Sequence, residues 1–120
     1  MTDLSTSPLF APFRLLDLEL DNRIVMAPMT RSFSPGQVPG EDVAEYYRKR
    51  AAGGVGLIVT EGTTLRDPAS TGDHKVPQMH GEPSLEGWRR TVDAVHAEGG
   101  RIMPQLWHVG ALRKAETTAS

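Results

Sequence analysis

Thr30, Glu61, Thr63, Gln105 and His108 are polar side chains that fall directly after, or at the end of, short apolar runs in this 120-residue sequence. Together they offer hydroxyls, a carboxylate, an imidazole and a carboxamide that both donates and accepts, the groups that orient a polar ligand by hydrogen bonds. Thr30 follows Ile24-Val25-Met26-Ala27, and Glu61-Gly62-Thr63 follows Val55-Gly56-Leu57-Ile58-Val59. Gln105 and His108 lie at the end of the run from Ile102 to Trp107. If the runs are parallel strands, all of these residues occupy carboxyl ends, the edge at which parallel α/β proteins bind ligands. Three segments remote in sequence then converge on one face.

The same sequence disfavours several other chemistries. It has no cysteine, which removes disulfides, thiolate metal sites and a cysteine nucleophile and fits a reducing compartment, so a cytoplasmic location is expected. His74, His80 and His96 have no carboxylate or histidine at helical ligand spacing, so surface positions and no metal are expected. A formal charge of -2, with 38% hydrophobic and 23% charged residues, favours neither disorder nor a nucleic-acid partner. The first ten residues carry Asp3 and no basic cluster, and no apolar run approaches the ~20 residues of a membrane span, so no membrane association is expected. A G-x-G-x-x-G dinucleotide fingerprint is absent after the first run, where Pro28-Met29-Thr30-Arg31-Ser32-Phe33 stands. Gly53-Gly54-Val55-Gly56 precedes a strand instead of opening a helix and reads as a helix stop.

The elements that must position these residues alternate. The three apolar runs are short and lack clean alternation, as strands buried on both faces do. Between the first two, Val43, Tyr47 and Ala51 recur at helical spacing over Glu41 to Ala52, with Gly53-Gly54 as the stop. Between the second and third, Ser84 is expected to cap a helix with Leu85, Trp88, Val92 and Val95 on one stripe, ended by Gly99-Gly100. Pro104 cannot donate to a ladder, so the third strand is expected to be irregular or short. Residues 13–22 predict a small hairpin, and 115–120 a loop. Strand, helix, strand, helix, strand implies an α/β fold of parallel βαβ units, which leaves a doubly wound sheet and a (β/α)8 barrel both open.

Ala27-Pro28-Met29-Thr30-Arg31, Ala44-Glu45-Tyr46-Tyr47, Glu61-Gly62-Thr63 and Gln105-Leu106-Trp107-His108-Val109-Gly110 together resemble the old yellow enzymes, in that family's order and spacing from about Leu9 to Gly110. The resemblance selects the barrel: it implies the N-terminal part, strand-helix-strand-helix-strand after the hairpin, of an α/β (β/α)8 TIM barrel that holds FMN at its carboxyl-end mouth. It further implies a hydride transferred from NAD(P)H through FMN to an activated alkene such as an enal or enone. Carried over by position, Pro28 and Met29 would set backbone groups beside the flavin ring, and Thr30 would hydrogen-bond near the flavin O4 and tune its potential. Gly62 would let the backbone approach that region, Gln105 would pair with the pyrimidine edge, and Trp107 would lie near the substrate or behind the flavin. Read without the family, Thr30 is a turn residue, Gln105 a buried amide, Gly62 a turn glycine and Trp107 core. The resemblance gives His108 a structural role.

No catalytic residue of the family's reaction falls in this chain. The pair that grips the acceptor carbonyl, the tyrosine acid and the phosphate-binding loops come later in such barrels, and a full barrel needs about 250 residues. Residues 1–120 are therefore expected to be a partial FMN-binding domain that ends after the third barrel strand and is inactive alone, with its missing strands or a homo-oligomer as partner. The family often places arginine after the glycine of the last motif, whereas Ala111 follows Gly110 here and arginine comes at Arg113. A dienoyl-CoA reductase or amine dehydrogenase, and a non-catalytic subunit that completes a barrel with a second chain, are the competing readings.

Overall fold

The computed structural model describes residues 7–114. The loop expected over 115–120 lies outside them. A hairpin comes first, with β1 (Phe13–Leu15) antiparallel to β2 (Leu18–Leu20) in the register Phe13↔Leu20 and Leu15↔Leu18. Then β3 (Val25–Met26), α1 (Glu41–Ala52), β4 (Leu57–Thr64), α2 (Glu82–Ala97) and β5 (Ile102–Trp107) alternate as the apolar runs predict. The three later strands form one parallel sheet in the order β3-β4-β5.

Period-two alternation divides this sheet into two faces. Met26, Ile58 and Ile102 are register partners across it and pack on the two helices, where Val43, Tyr47 and Ala51 of α1 meet Trp88 and Val95 of α2. Residues of opposite parity form the other face, which no helix among the described residues covers: Val25 and Met103 are exposed, and Leu57 and Val59 are half-buried. Among the described residues no helix is long and apolar enough to cross a membrane.

Three local expectations are corrected. β4 continues through Glu61-Gly62-Thr63 to Thr64 instead of stopping at Val59, because the Thr60, Glu61 and Thr64 side chains find partners there and need not leave the sheet. α2 opens at Glu82 after Gly81, with Pro83 in its first turn, and Ser84 is not its cap. The Ser84 hydroxyl instead donates across to the Gln37 carbonyl at 3.1 Å. The buried stripe of α2 is also rotated, to Ser84, Gly87, Trp88, Thr91 and Val95, leaving Leu85 39% exposed. Small residues let α2 approach the rest of the chain closely, so hydrophobicity alone pointed to a neighbouring stripe.

Pro104 has the expected effect. Register partners step from Val59↔Met103 to Gly62↔Gln105, a bulge that sets Thr60 and Glu61 against the proline. The Thr60 hydroxyl donates to the Glu61 carbonyl at 2.8 Å and accepts the Gln105 N–H at 3.2 Å, which repairs the ladder around it.

Candidate functional site

The polar end of β4 is the most completely buried part of the strand, with Thr60, Glu61, Thr63 and Thr64 all 2% exposed or less. A buried carboxylate must be paired, and Glu61 is paired from two sides. Its Oε2 accepts the Tyr47 hydroxyl at 2.7 Å, while the same Tyr47 oxygen accepts the Glu61 backbone N–H at 2.8 Å. Burial first, and then the adjacent carboxylate, push the Tyr47 phenol well above the ordinary tyrosine range, so it keeps its proton and donates. From the other side Arg31 Nε stands 3.4 Å from the same carboxylate oxygen.

Arg31 is itself held by α1. Its guanidinium carbon lies 3.7 Å from the centroid of the Tyr46 ring, and that of Arg50 lies 3.6 Å from it. Two guanidiniums that close to one centroid cannot share a face, so the ring is stacked between them. Tyr46 also meets Tyr47 edge-on, with centroids 5.1 Å apart. The loop that carries Thr30 is thus tied through Arg31 to the carboxyl end of β4. From sequence, Tyr47 stands on the apolar stripe of α1 and Glu61 among the polar residues at the strand ends, while Arg31 and Tyr46 stand only within motifs; nothing joins the four, because only the fold brings these three segments together.

On the uncovered face, Gly62 and Gln105 are direct register partners, as are Thr64 and Trp107. The Trp107 indole occupies the space that a Cβ at Gly62 would fill, so the glycine is required here by the tryptophan. Trp107 Nε1 and Thr63 Oγ1 are buried without a hydrogen-bond partner among the described residues. Gln105 is half-buried and its backbone N–H is held by Thr60, yet its carboxamide makes no hydrogen bond among the described residues. Pro28, Met29 and Thr30 run on beyond β3 and are exposed. Of the residues expected at a site, the sheet therefore brings Gly62, Gln105 and Trp107 into one cluster. Thr30 joins the same edge through its neighbour Arg31, with no hydrogen bond of its own to that cluster among the described residues.

His108 makes a loop contact. Its Nδ1 accepts the Gly110 N–H at 3.0 Å, so Nε2 carries the proton and donates to Asp67 at 3.2 Å. The Ala69 backbone N–H, and after it His108, holds the Asp67 carboxyl below the usual carboxylate range. Among the described residues no three His, Cys, Asp or Glu side chains are grouped to hold a metal ion.

The chain is similar over most of its length to known oxidoreductases. The chain is 45% identical over 104 residues to 12-oxophytodienoate reductase 7 of Oryza sativa, covering 87% of this chain and 26% of that protein. It is 42% identical over 108 residues to the flavin oxidoreductase hxnT of Emericella nidulans, covering 86% and 27%. Among solved structures it superposes on morphinone reductase in complex with tetrahydroNAD with a TM-score of 0.87 and 42% identity, over 94% of this chain and 30% of that one. The old yellow enzyme homologue from Zymomonas mobilis gives a TM-score of 0.84 at 36% identity, over 93% and 31%. These likenesses bear out the expected (β/α)-barrel portion over the doubly wound alternative. The chain spans less than a third of the length of each of these relatives. The family described as NADH:flavin oxidoreductase / NADH oxidase matches residues 8–120, and the chain belongs to that family.

Proposed function

We propose that the protein is an FMN-dependent ene-reductase and that the uncovered face of β4 and β5 receives the flavin. The observation that carries this reading is the Gln105 carboxamide. It stands half-buried and without a hydrogen-bond partner among the described residues, beside Gly62 and Trp107 at the carboxyl edge of a parallel sheet. An amide whose polar atoms face solvent and hold no protein partner is free to turn to a ligand, and two donors with an acceptor suit the alternating edge of a flavin pyrimidine ring. The residues present fit the group.

When bound, FMN would supply hydride transfer, from NAD(P)H and on to the β-carbon of an enal, enone or similar activated alkene, while the α-carbon takes a proton. A solved relative was captured with tetrahydroNAD, which supports a nicotinamide donor. Gln105 would hold the pyrimidine edge. Thr30 would place a hydroxyl where negative charge develops, and a preorganised dipole in a site of low dielectric stabilises such charge effectively. Pro28 and Met29 would present backbone beside the ring, Gly62 would bring the β4 backbone close, and Trp107, seated on Gly62, would wall the substrate side. We assign no acceptor-gripping or proton-donating residue to this chain. Those would come from further barrel strands, in the same polypeptide or in a partner, and the 120 residues alone would be inactive.

The test is the absorption spectrum of the protein purified as its own cells make it, with the released chromophore identified by mass. Flavin bands and FMN are expected, with Gln105→Leu weakening FMN at least about tenfold, the order of one lost hydrogen bond in a buried site. A colourless protein that does not quench added FMN fluorescence overturns the reading.

A further inference from the structure

The tightest coupling at this edge of the sheet involves no residue assigned to the flavin. Arg31, Tyr47 and Glu61 lie on the helix-covered side, and two of them adjoin the proposed cofactor contacts in sequence: Arg31 follows Thr30, and Glu61 precedes Gly62. Resting on the flavin reading above, we propose that Tyr47, Glu61 and Arg31 form a positioning clamp that fixes the Thr30 hydroxyl relative to Gly62. Groups buried behind the sheet thereby set the electronic environment of a cofactor in front of it.

Geometry supports this in three steps. The bulge at Thr60 and Glu61 resets the alternation of β4, so Glu61 reaches α1 while its neighbour Gly62 lies toward the open face, and displacement of the carboxylate bears on the backbone on which Trp107 rests. The Tyr47 hydroxyl is bonded twice to residue 61, to its side chain at 2.7 Å and to its backbone at 2.8 Å, and so fixes both where the strand lies and where the carboxylate points. That carboxylate and the Tyr46 ring then hold Arg31, and with it the main chain next to Thr30, at 3.4 and 3.7 Å.

Stability alone does not account for the arrangement. Glu61 is 1% exposed, and an apolar residue would fill the same volume without the cost of burying a charge. The pair is also incompletely satisfied, since Glu61 Oε1 and Arg31 Nη2 are buried with no partner among the described residues. What the ion pair and hydroxyl provide that a methyl contact cannot is direction: each bond tolerates only a narrow range of angles.

The experiment is a redox titration of the flavin-loaded protein carrying Thr30→Ala, Tyr47→Phe, or both, with FMN affinity and thermal unfolding measured on the same samples. Tyr47→Phe keeps the ring and removes only the hydroxyl, and Glu61→Gln, which keeps the shape and removes the charge, is the second probe. Thr30→Ala is expected to shift the oxidised-to-reduced equilibrium roughly tenfold toward oxidised, about 30 mV for a two-electron couple. Tyr47→Phe and Glu61→Gln should shift it about threefold in the same direction, and neither should add a shift in the Thr30→Ala background, since residues acting through one another are not additive. A lowered unfolding temperature with an unmoved potential would leave Tyr47 and Glu61 as structural residues and overturn the clamp. So would equal shifts in both backgrounds. If Thr30→Ala itself leaves the potential unmoved while FMN still binds, the role of Thr30 falls and the clamp with it; if no FMN binds, the flavin reading falls first.

Discussion

The two halves of β4 invert the usual relation between polarity and depth. Its apolar beginning is the less buried half, with Leu57 and Val59 half-buried on either side of Ile58, whereas Thr60 to Thr64 are buried without exception. Ile58 is held by non-directional packing against the helices, which tolerates small shifts. The polar end is held by hydrogen bonds to Tyr47, Arg31, Gln37 and the Gln105 backbone, each of which specifies an angle as well as a distance. Gly62, and across the ladder Gln105 and Trp107 of β5, sit at the directionally held end.

This contrast can be broken at its strongest point by Glu61→Ala. The substitution strands the Arg31 charge and the Tyr47 hydroxyl in the interior and should cost about 3–5 kcal/mol in urea unfolding, the range for breaking one side of a buried pair. A loss below ~1 kcal/mol would show that the polar end is held by packing after all. Gly62→Ala comes next: the added methyl meets the Trp107 indole, and overpacking of roughly 1–3 kcal/mol is expected. Adding Trp107→Ala should relieve part of that strain, so the double variant loses less than the sum of the single ones.

Alkaline titration sharpens the same point. The Tyr47 phenol is raised in the folded chain above its unfolded value of about 10. Its contribution is therefore complete below pH ~10 and is lost as the pH climbs above it, when the unfolded chain releases a proton that the folded one retains. Unfolding curves of Tyr47→Phe should lack that part of the alkaline decline; identical declines would mean the phenol is not held as described. The smallest effect is expected at the apolar end, where Ile58→Val should cost about 0.5–1.5 kcal/mol and leave FMN affinity unaltered, read by calorimetry and flavin fluorescence.

Much of the fold was legible because periodicity records burial. Val43, Tyr47 and Ala51 marked one face of α1, and the three apolar runs marked the sheet. The stripe of α2 was misread because Ser84, Gly87 and Thr91, small or polar in sequence, are buried by close helix approach, a property of the neighbour's shape. The end of β4 was misread for a similar reason: Glu61 looks like a loop residue until Tyr47, fourteen positions earlier, supplies its partner.

By itself the sequence determined the alternation of elements, the edge at which polar residues gather and, through its motifs, the family. These are encoded locally, in spacing and residue type. Only the tertiary structure decided that Gly62 is a glycine on account of Trp107, that Glu61 lies within the sheet and that Arg31 is caught between it and Tyr46. Each of those facts is a contact between segments far apart in the chain, and a hydrogen bond or a stacked ring exists only once both partners are in place.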